Sequence, residues 1–145
     1  MSRVRLPQLS VLRNPGFLWG KGVYALEQEW HFEVAGYGKF IVPLGYEFDG
    51  ASIPRILWSA TGYTPYGLHI GAAVEHDYLC DIGSKTTAFL KWMTARQLPI
   101  PQAVPSAVAH EHFYQRCLAD GVRPSQAWTM GQTVKIFGPR WKVAA

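Results

Sequence analysis

Several features that often reveal a protein's class are missing from this chain. It has two cysteines, Cys80 and Cys117, in 145 residues, too few for the disulfide framework of a small secreted domain. Each lies in an apolar helical pattern, so we expect buried free thiols. The N-terminal sequence lacks the apolar core and cleavage site of a signal peptide. No apolar run approaches the roughly 20 residues that cross a bilayer, so we expect no membrane span.

The common catalytic signatures are absent too. Glu75-His-Asp-Tyr-Leu has no second histidine at the offset of the zinc-hydrolase helix His-Glu-x-x-His. Ser52 stands in Gly-Ala-Ser-Ile-Pro, where Pro54 replaces the glycine of a nucleophile elbow. There is no glycine-rich phosphate loop, so no nucleotide cofactor is expected. The net charge is +4, but the basic residues are scattered, which argues against specific nucleic-acid binding.

What the chain does have is a packed core and a change of pattern at its middle. Apolar residues make up 48%, including six Trp, seven Tyr and seven Phe, which favours a single folded domain over residues 1–145. Short aromatic and β-branched segments predict strands at 23–26, 30–34, 39–42 and 46–48, with hairpin-like spacing. Helical spacing predicts helices at 67–80, 84–96, 105–118 and 124–137. We therefore predict an α+β fold with a small antiparallel sheet in the N-terminal half, packed against three to four C-terminal helices, and an N-terminal arm at 1–20.

Two segments carry most of the polar groups that chemistry would need. They are Tyr46 to Trp58, with Asp-Gly-Ala-Ser-Ile-Pro at its centre, and Ala72 to Cys80, which contains His-Asp-Tyr. On the second segment, His69, Ala73, His76 and Cys80 share one helical stripe. Adding the helix near residue 110 gives a candidate cluster of Asp49, His76, Asp77 and His110, with Ser52, His69 and Asp81 as outer members.

The remaining histidines are assigned by geometry. Residues two apart on a helix differ by about 200°, so His110 and His112 cannot face one site. His110 shares a stripe with Phe113 and Cys117 and is predicted to point inward, while His112 is predicted to face solvent beside Arg116. His31 lies on the strand face opposite Trp30 and is predicted to be at the surface.

Two interpretations of the cluster stay open. In the first, His76, Asp77 and His110 bind Zn²⁺ or another divalent ion, and Asp49, His76 and Asp77 are catalytic. Ser52, Arg55 and Tyr78 would then contact the substrate. In the second, Asp49 caps a short helix at Pro54, and His76 and Asp77 tie that turn to the sheet, so that the cluster only stabilises the fold.

The two segments also resemble a known family. Val42-Pro-Leu-Gly45, Asp49-Gly-Ala-Ser-Ile-Pro54 and His76-Asp-Tyr78 are similar to the pattern of the phage and prophage family called domain of unknown function 1353. Relative to that family, His110 stands where an aspartate is usual, and residues 84–105 look like an insertion. The resemblance implies a phage or prophage origin and no established reaction.

Two functions follow from the residues and the resemblance together. The first is a small metal-dependent hydrolase acting on bacterial peptidoglycan. The second is a non-enzymatic virion tail, baseplate or assembly component. The expected partners are accordingly the bacterial cell wall or virion proteins. We expect synthesis in the host cytoplasm, with the virion or cell envelope as the alternative destination.

Overall fold

The structure is a computed structural model that describes residues 6–13, 23–48 and 68–143. Its strands precede its helices, which confirms the α+β class. The described strands are β1 (Leu9–Arg13), β2 (Val23–Leu26), β3 (Trp30–Val34), β4 (Gly38–Val42) and β5 (Glu47–Phe48). The described helices are α1 (Ile70–Ser84), α2 (Thr87–Ala95), α3 (Ser106–Ala119) and α4 (Pro124–Phe137).

The hairpin of β3 and β4 follows directly from alternation along the sequence. Trp30, Phe32 and Val34 are buried while the two residues between them are exposed, because successive side chains of a strand point to opposite faces. Phe32 pairs with Phe40, and their rings stack with centroids 5.3 Å apart. His31 is exposed, as predicted.

The other strands depart from the predicted hairpin order. β2 does not pair with β3 but lies between β1 and β5, antiparallel to both. The backbone N–H of Leu26 donates to Tyr46 O and its carbonyl accepts from Gly45 N–H, which closes this three-stranded sheet. β1 lies inside the segment expected to be an arm. Its pairing starts at Leu9 opposite Leu26, so the partner that orders it is distant in sequence.

The helices lie close to their predicted positions, with one difference in the capping residue. Ser84, where the second predicted helix begins and which its residue type would make a cap, is the last residue of α1, and Lys85 follows with a left-handed φ of 52°. Thr86 caps α2 instead, its Oγ1 accepting the Phe89 N–H at 3.3 Å. Within the described ranges no helix combines the length and the apolar character needed to cross a bilayer.

α1 is the central element of the packing. Ile70, Val74 and Leu79 join the strand residues in one core cluster. On its other side, Ala72 and Ala73 are fully buried in a second cluster, and their small side chains allow α3 to pack closely on α1. That second cluster also contains Phe113, Cys117, Ala127, Met130 and Val134.

A buried charge connects α1 to its neighbours. Glu75 is fully buried, and its two oxygens accept hydrogen bonds from three side chains. Trp30 Nε1–H donates to Oε2 at 2.8 Å, while His112 Nε2–H and Arg116 Nε–H donate to Oε1 at 2.7 and 3.1 Å. Arg116 also donates to Asp120 Oδ2 at 3.2 Å. The prediction that His112 faces solvent is therefore wrong, because the Glu75 carboxylate draws this side chain inward and leaves it 9% exposed.

This network predicts that Glu75→Gln is strongly destabilising although it preserves shape. The amide removes the charge that compensates Arg116 and turns one acceptor into a donor facing donors, so we expect a loss of about 3 kcal/mol in the free energy of unfolding. Urea denaturation followed by circular dichroism measures the loss. The matched control is Glu33→Gln on the exposed face of β3, expected to change stability by less than about 0.5 kcal/mol. Equal stability of the two variants would contradict the central role of Glu75.

Candidate functional site

The predicted site residues divide into those the structure describes and those it does not. Asp49, Ser52 and Arg55 lie outside the described residues, and their predicted roles stay predictions. His76, Asp77 and Tyr78 lie on α1, and His110 lies on α3. The helix pair α1 and α3 therefore brings together part of the predicted cluster.

His76 and His110 meet as a buried pair. His76 Nε2 lies 2.8 Å from His110 Nδ1, and the two residues are 0% and 3% exposed. Phe113 packs against the His76 ring with centroids 5.2 Å apart. The prediction that His110 points inward is confirmed.

The hydrogen bonds of this pair define a direction. His110 Nε2 lies 3.0 Å from the carbonyl oxygen of Pro139, which can only accept, so Nε2 carries the proton. A neutral His110 then accepts at Nδ1 from His76 Nε2–H. This leaves a lone pair on His76 Nδ1. Cys80 Sγ lies 3.5 Å from Nε2 and 3.8 Å from Nδ1 of the same ring. The hydrogen bonds therefore run from His76 through His110 to Pro139.

Burial keeps both rings neutral. It lowers the pKa of His76 from 6.5 to about 3, with smaller contributions from His110 and His112. Burial also lowers the pKa of His110, against the hydrogen bond to Pro139, which raises it, and Arg140 and Lys135 lower it further. The Cys80 thiol, which contacts His76, has its pKa raised by burial and by Asp77 and Asp81. This pair is therefore a neutral, internal hydrogen-bond chain.

The predicted ligand set does not form a coordination cage. Asp77 Oδ1 lies 3.9 Å from His76 Nδ1, while the facing nitrogens of His76 and His110 bond to each other. Across residues 6–13, 23–48 and 68–143, no group of three or more His, Cys, Asp or Glu side chains is arranged to hold a metal ion.

Two further predicted members lie elsewhere. Tyr78, expected to contact substrate, is 1% exposed, and its ring packs edge-on against Tyr46 and Phe89. Burial raises its pKa to about 12. Tyr78 is thus a core residue, which corrects the predicted role. His69 is also buried and lines a separate cavity of about 250 Å³ beside Gly121 and Arg123.

An acidic cleft opens beside α1 and the histidine pair. Its volume is about 450 Å³, and its lining includes Glu47, Asp77 and Asp81. The Tyr46 hydroxyl donates a hydrogen bond to Asp81 Oδ2 at 2.6 Å. Burial is the largest cause that raises the pKa of Tyr46, and the negative charges of Asp81 and Asp77 raise it further. The remaining lining residues are Val23, Tyr46, Phe48, Cys80, Ser84, Thr86 and Pro139.

The cleft continues along β5 and α2. A neighbouring cavity of about 230 Å³ shares Tyr46, Glu47, Asp81 and Thr86 with it and extends to Trp92. The sequence interpretation included Asp77, with Asp81 as an outer member, but missed Tyr46, Glu47 and Cys80 as lining residues. The four-residue spacing of Asp77 and Asp81, which puts both on one helical face, was the signal that could have found the cleft.

The fold and the site together define a small α+β protein with an acidic cleft beside a buried histidine pair. The chain belongs to the family described as "Protein of unknown function (DUF1353)", whose model matches residues 24–134.

Two proteins of Sinorhizobium fredii (strain NBRC 101917 / NGR234) are similar to this chain. The uncharacterized protein y4jT is 30% identical over 119 residues, covering 82% of this chain and 30% of that protein. The uncharacterized protein y4iH is 33% identical over 93 residues, covering 64% of this chain and 31% of that protein. The chain thus spans less than a third of either relative. No solved structure matches it.

Because His76 and His110 are neutral in the folded protein, we predict that the free energy of unfolding falls in mild acid. His76 has a pKa near 3 when folded and near 6.5 when unfolded, so the unfolded chain takes up the proton first. Its contribution is complete above pH 6.5 and declines as pH falls from 6.5 toward 3, by about 1.4 kcal/mol per pH unit.

Urea denaturation between about pH 7 and about pH 4.5 tests this. His76→Gln should be less stable at neutral pH and should show a shallower decline. The matched control is His31→Gln, which changes an exposed histidine and should keep the wild-type slope. If His76→Gln and wild type lose stability at the same rate per pH unit, His76 is not held neutral.

Proposed function

We propose that this protein is a small metal-dependent hydrolase whose reaction centre is the acidic cleft between β5 and α1. The observation that carries the proposal is the pair Asp77 and Asp81, one helical turn apart on α1 in the lining of the cleft. Glu47 on β5 also lines the cleft but does not form a three-ligand group with them. Carboxylate oxygens are the ligands that Mg²⁺ and similar hard cations prefer, and such ions are commonly held by one or two carboxylates with water completing the shell.

In this proposal the metal ligands are carboxylates, and His76 and His110 do not bind the ion. Asp81 is the better-prepared ligand because Tyr46 holds one of its oxygens with a 2.6 Å hydrogen bond, as outer partners orient metal ligands elsewhere. Asp77 then serves as the general base. Asp81 would hold the ion, which would supply a polarised water molecule. Asp77 would take a proton from that water as its oxygen adds to a carbonyl carbon, and would return the proton to the departing amine as the C–N bond breaks.

We propose peptidoglycan as the substrate. An acidic cleft suits a polymer that presents amide, hydroxyl and ammonium groups, and it disfavours polyanions such as nucleic acids. The cleft and its extension to Trp92 together offer room for more than one residue of such a polymer. The motif resemblance to phage proteins makes the cell wall the natural polymer to test first.

The test is release of soluble fragments from purified peptidoglycan by the purified chain, with Mg²⁺, Mn²⁺ or Zn²⁺ supplied separately. Wild type should release fragments with at least one of these ions, and chelator should stop it. Asp77→Asn should reduce the rate by about 100-fold or more, the usual contribution of a general base, with an unchanged circular dichroism spectrum.

The control keeps the charge change away from the cleft. Glu33→Gln removes a carboxylate from the exposed face of β3 and should retain wild-type activity. Asp81→Asn should weaken metal binding measured by calorimetry more than Asp77→Asn does. The proposal would be refuted if the folded wild-type protein released no fragments with each of the three ions in turn. Full activity of Asp77→Asn would also refute it.

The second candidate is a non-enzymatic assembly component. It is favoured by the internal use of His76 and His110, whose hydrogen bonds are made within the fold. The two relatives also carry the matched segment as about 30% of their length, as a module within a longer protein would. This role predicts no fragment release from wild type and a loss of thermal stability in His76→Gln as its main effect.

A further inference from the structure

The last described residues of the chain, 138–143, form what we call the C-terminal strap. They follow α4 without helix or strand and contact the rest of the fold through a few bonds. His110 Nε2–H donates to Pro139 O at 3.0 Å, Trp141 Nε1–H donates to Val104 O at 2.7 Å, and Ser106 Oγ lies 3.5 Å from Trp141 O. None of these bonds belongs to a regular ladder.

Two glycines allow the strap to lie close. At Gly83 on α1, an added Cβ would overlap the Trp141 ring. Only glycine therefore leaves room for this tryptophan to pack on the helix. At Gly138, an added Cβ would overlap Val134 O and lie 2.9 Å from His110 Cε1. The strap therefore packs directly on the His110 side of the histidine pair.

The strap also contributes to the lining of two cavities. Pro139 lines the acidic cleft, together with Asp77 and Cys80. Arg140, the next residue, lines a cavity of about 460 Å³ whose other walls include Ser106, His110 and Lys135. The ring of His110, 3% exposed, borders this second cavity and is bonded to the Pro139 carbonyl. The adjacent residues Pro139 and Arg140 thus each line one of the two cavities.

We propose that the strap is a lid that opens while the rest of the fold stays intact, joining the two cavities and exposing His110. Its attachments are the Trp141 ring, which is partly buried against the main core cluster and the His110 ring, and four isolated side-chain hydrogen bonds, one of them from Arg140 Nη2–H to Lys135 O. The surrounding helices are held by continuous hydrogen-bond ladders and buried cores, so the strap belongs to the part of the structure that opens locally before global unfolding. The family match ends at residue 134, so the lid lies outside the segment that matches the family.

The consequence for chemistry rests on the proposed function. With the strap closed, the His110 proton is held by Pro139. With the strap open, Nε2 of His110 borders the enlarged cleft and can exchange a proton with bound substrate or water. The lid would in this way add an acid–base group to the carboxylates of the cleft.

Reaction of histidines with diethylpyrocarbonate, located by mass spectrometry, tests the lid without any substrate. His110 and His112 lie on the same helix and are 3% and 9% exposed, so static exposure predicts that His110 reacts no faster. Local opening predicts that His110 of the wild-type chain reacts about tenfold faster than His112. Trp141→Ala should raise the His110 rate by about another tenfold and leave the His112 rate unchanged.

The matched control is Trp128→Ala, which removes a tryptophan that is 58% exposed on α4 and should leave both rates at wild-type values. Gly83→Ala is a second variant that displaces Trp141 from the other side and should reproduce the effect of Trp141→Ala. The lid proposal would be refuted if His110 and His112 reacted at equal rates in the wild-type protein. It would also be refuted if Trp141→Ala and Gly83→Ala accelerated both histidines together, because exposure of His110 would then require global unfolding. Fast His110 labelling in a chain inactive on peptidoglycan would refute the hydrolase alone.

Discussion

The structure depends on burying the carboxylate of Glu75. Moving an ionised carboxylate out of water costs several kcal/mol unless donors replace the lost water, and here the donors come from β3 and α3. Trp30, His112 and Arg116 can all reach the carboxylate only when the hairpin, α1 and α3 hold one particular arrangement. The charge therefore selects a register among packings that hydrophobic burial alone would leave nearly equal.

That register also determines what the next residues of α1 face. Successive helical residues are rotated by about 100°, so once Glu75 points toward β3 and α3 the neighbours have fixed directions. His76 turns toward His110 on α3, Asp77 reaches the acidic cleft, and Tyr78 enters the aromatic core. The His-Asp-Tyr motif is thus three adjacent residues with three different environments, and only the middle one borders the cleft.

The parts of the fold that could be predicted are those governed by local rules. Alternation along β3 placed His31 on the face opposite the buried Trp30, and helical spacing placed α4 at 124–137. β1 was missed because its order comes from pairing with β2, a contact that no local pattern encodes.

The site was predicted less completely for a related reason. Helical geometry gave the angle between His110 and His112 but could not reveal that Glu75 would attract the second ring. Tyr78 was misassigned because an aromatic residue beside acids has the same sequence pattern in a cleft and in a core. The four-residue spacing of Asp77 and Asp81 did indicate that both lie on one face of α1. The hydrogen bond from Tyr46 to Asp81 could not be predicted, because it depends on the packing of the residues beside β5 against α1.

The direction of the buried hydrogen-bond chain links the cleft to the strap. A backbone carbonyl can only accept, so Pro139 fixes the proton on His110 Nε2. This in turn fixes the proton on His76 Nε2 and leaves the lone pair on His76 Nδ1. Each imidazole can exchange its donor and acceptor nitrogens, whereas the Pro139 carbonyl cannot. If this carbonyl moves away from His110, the direction of the hydrogen bonds between the two rings can therefore reverse. The reversed chain would place a proton on His76 Nδ1, 3.9 Å from Asp77 Oδ1. The electrostatics around Asp77 are therefore coupled to a backbone group at the far end of the pair, although His76 itself has no contact with solvent.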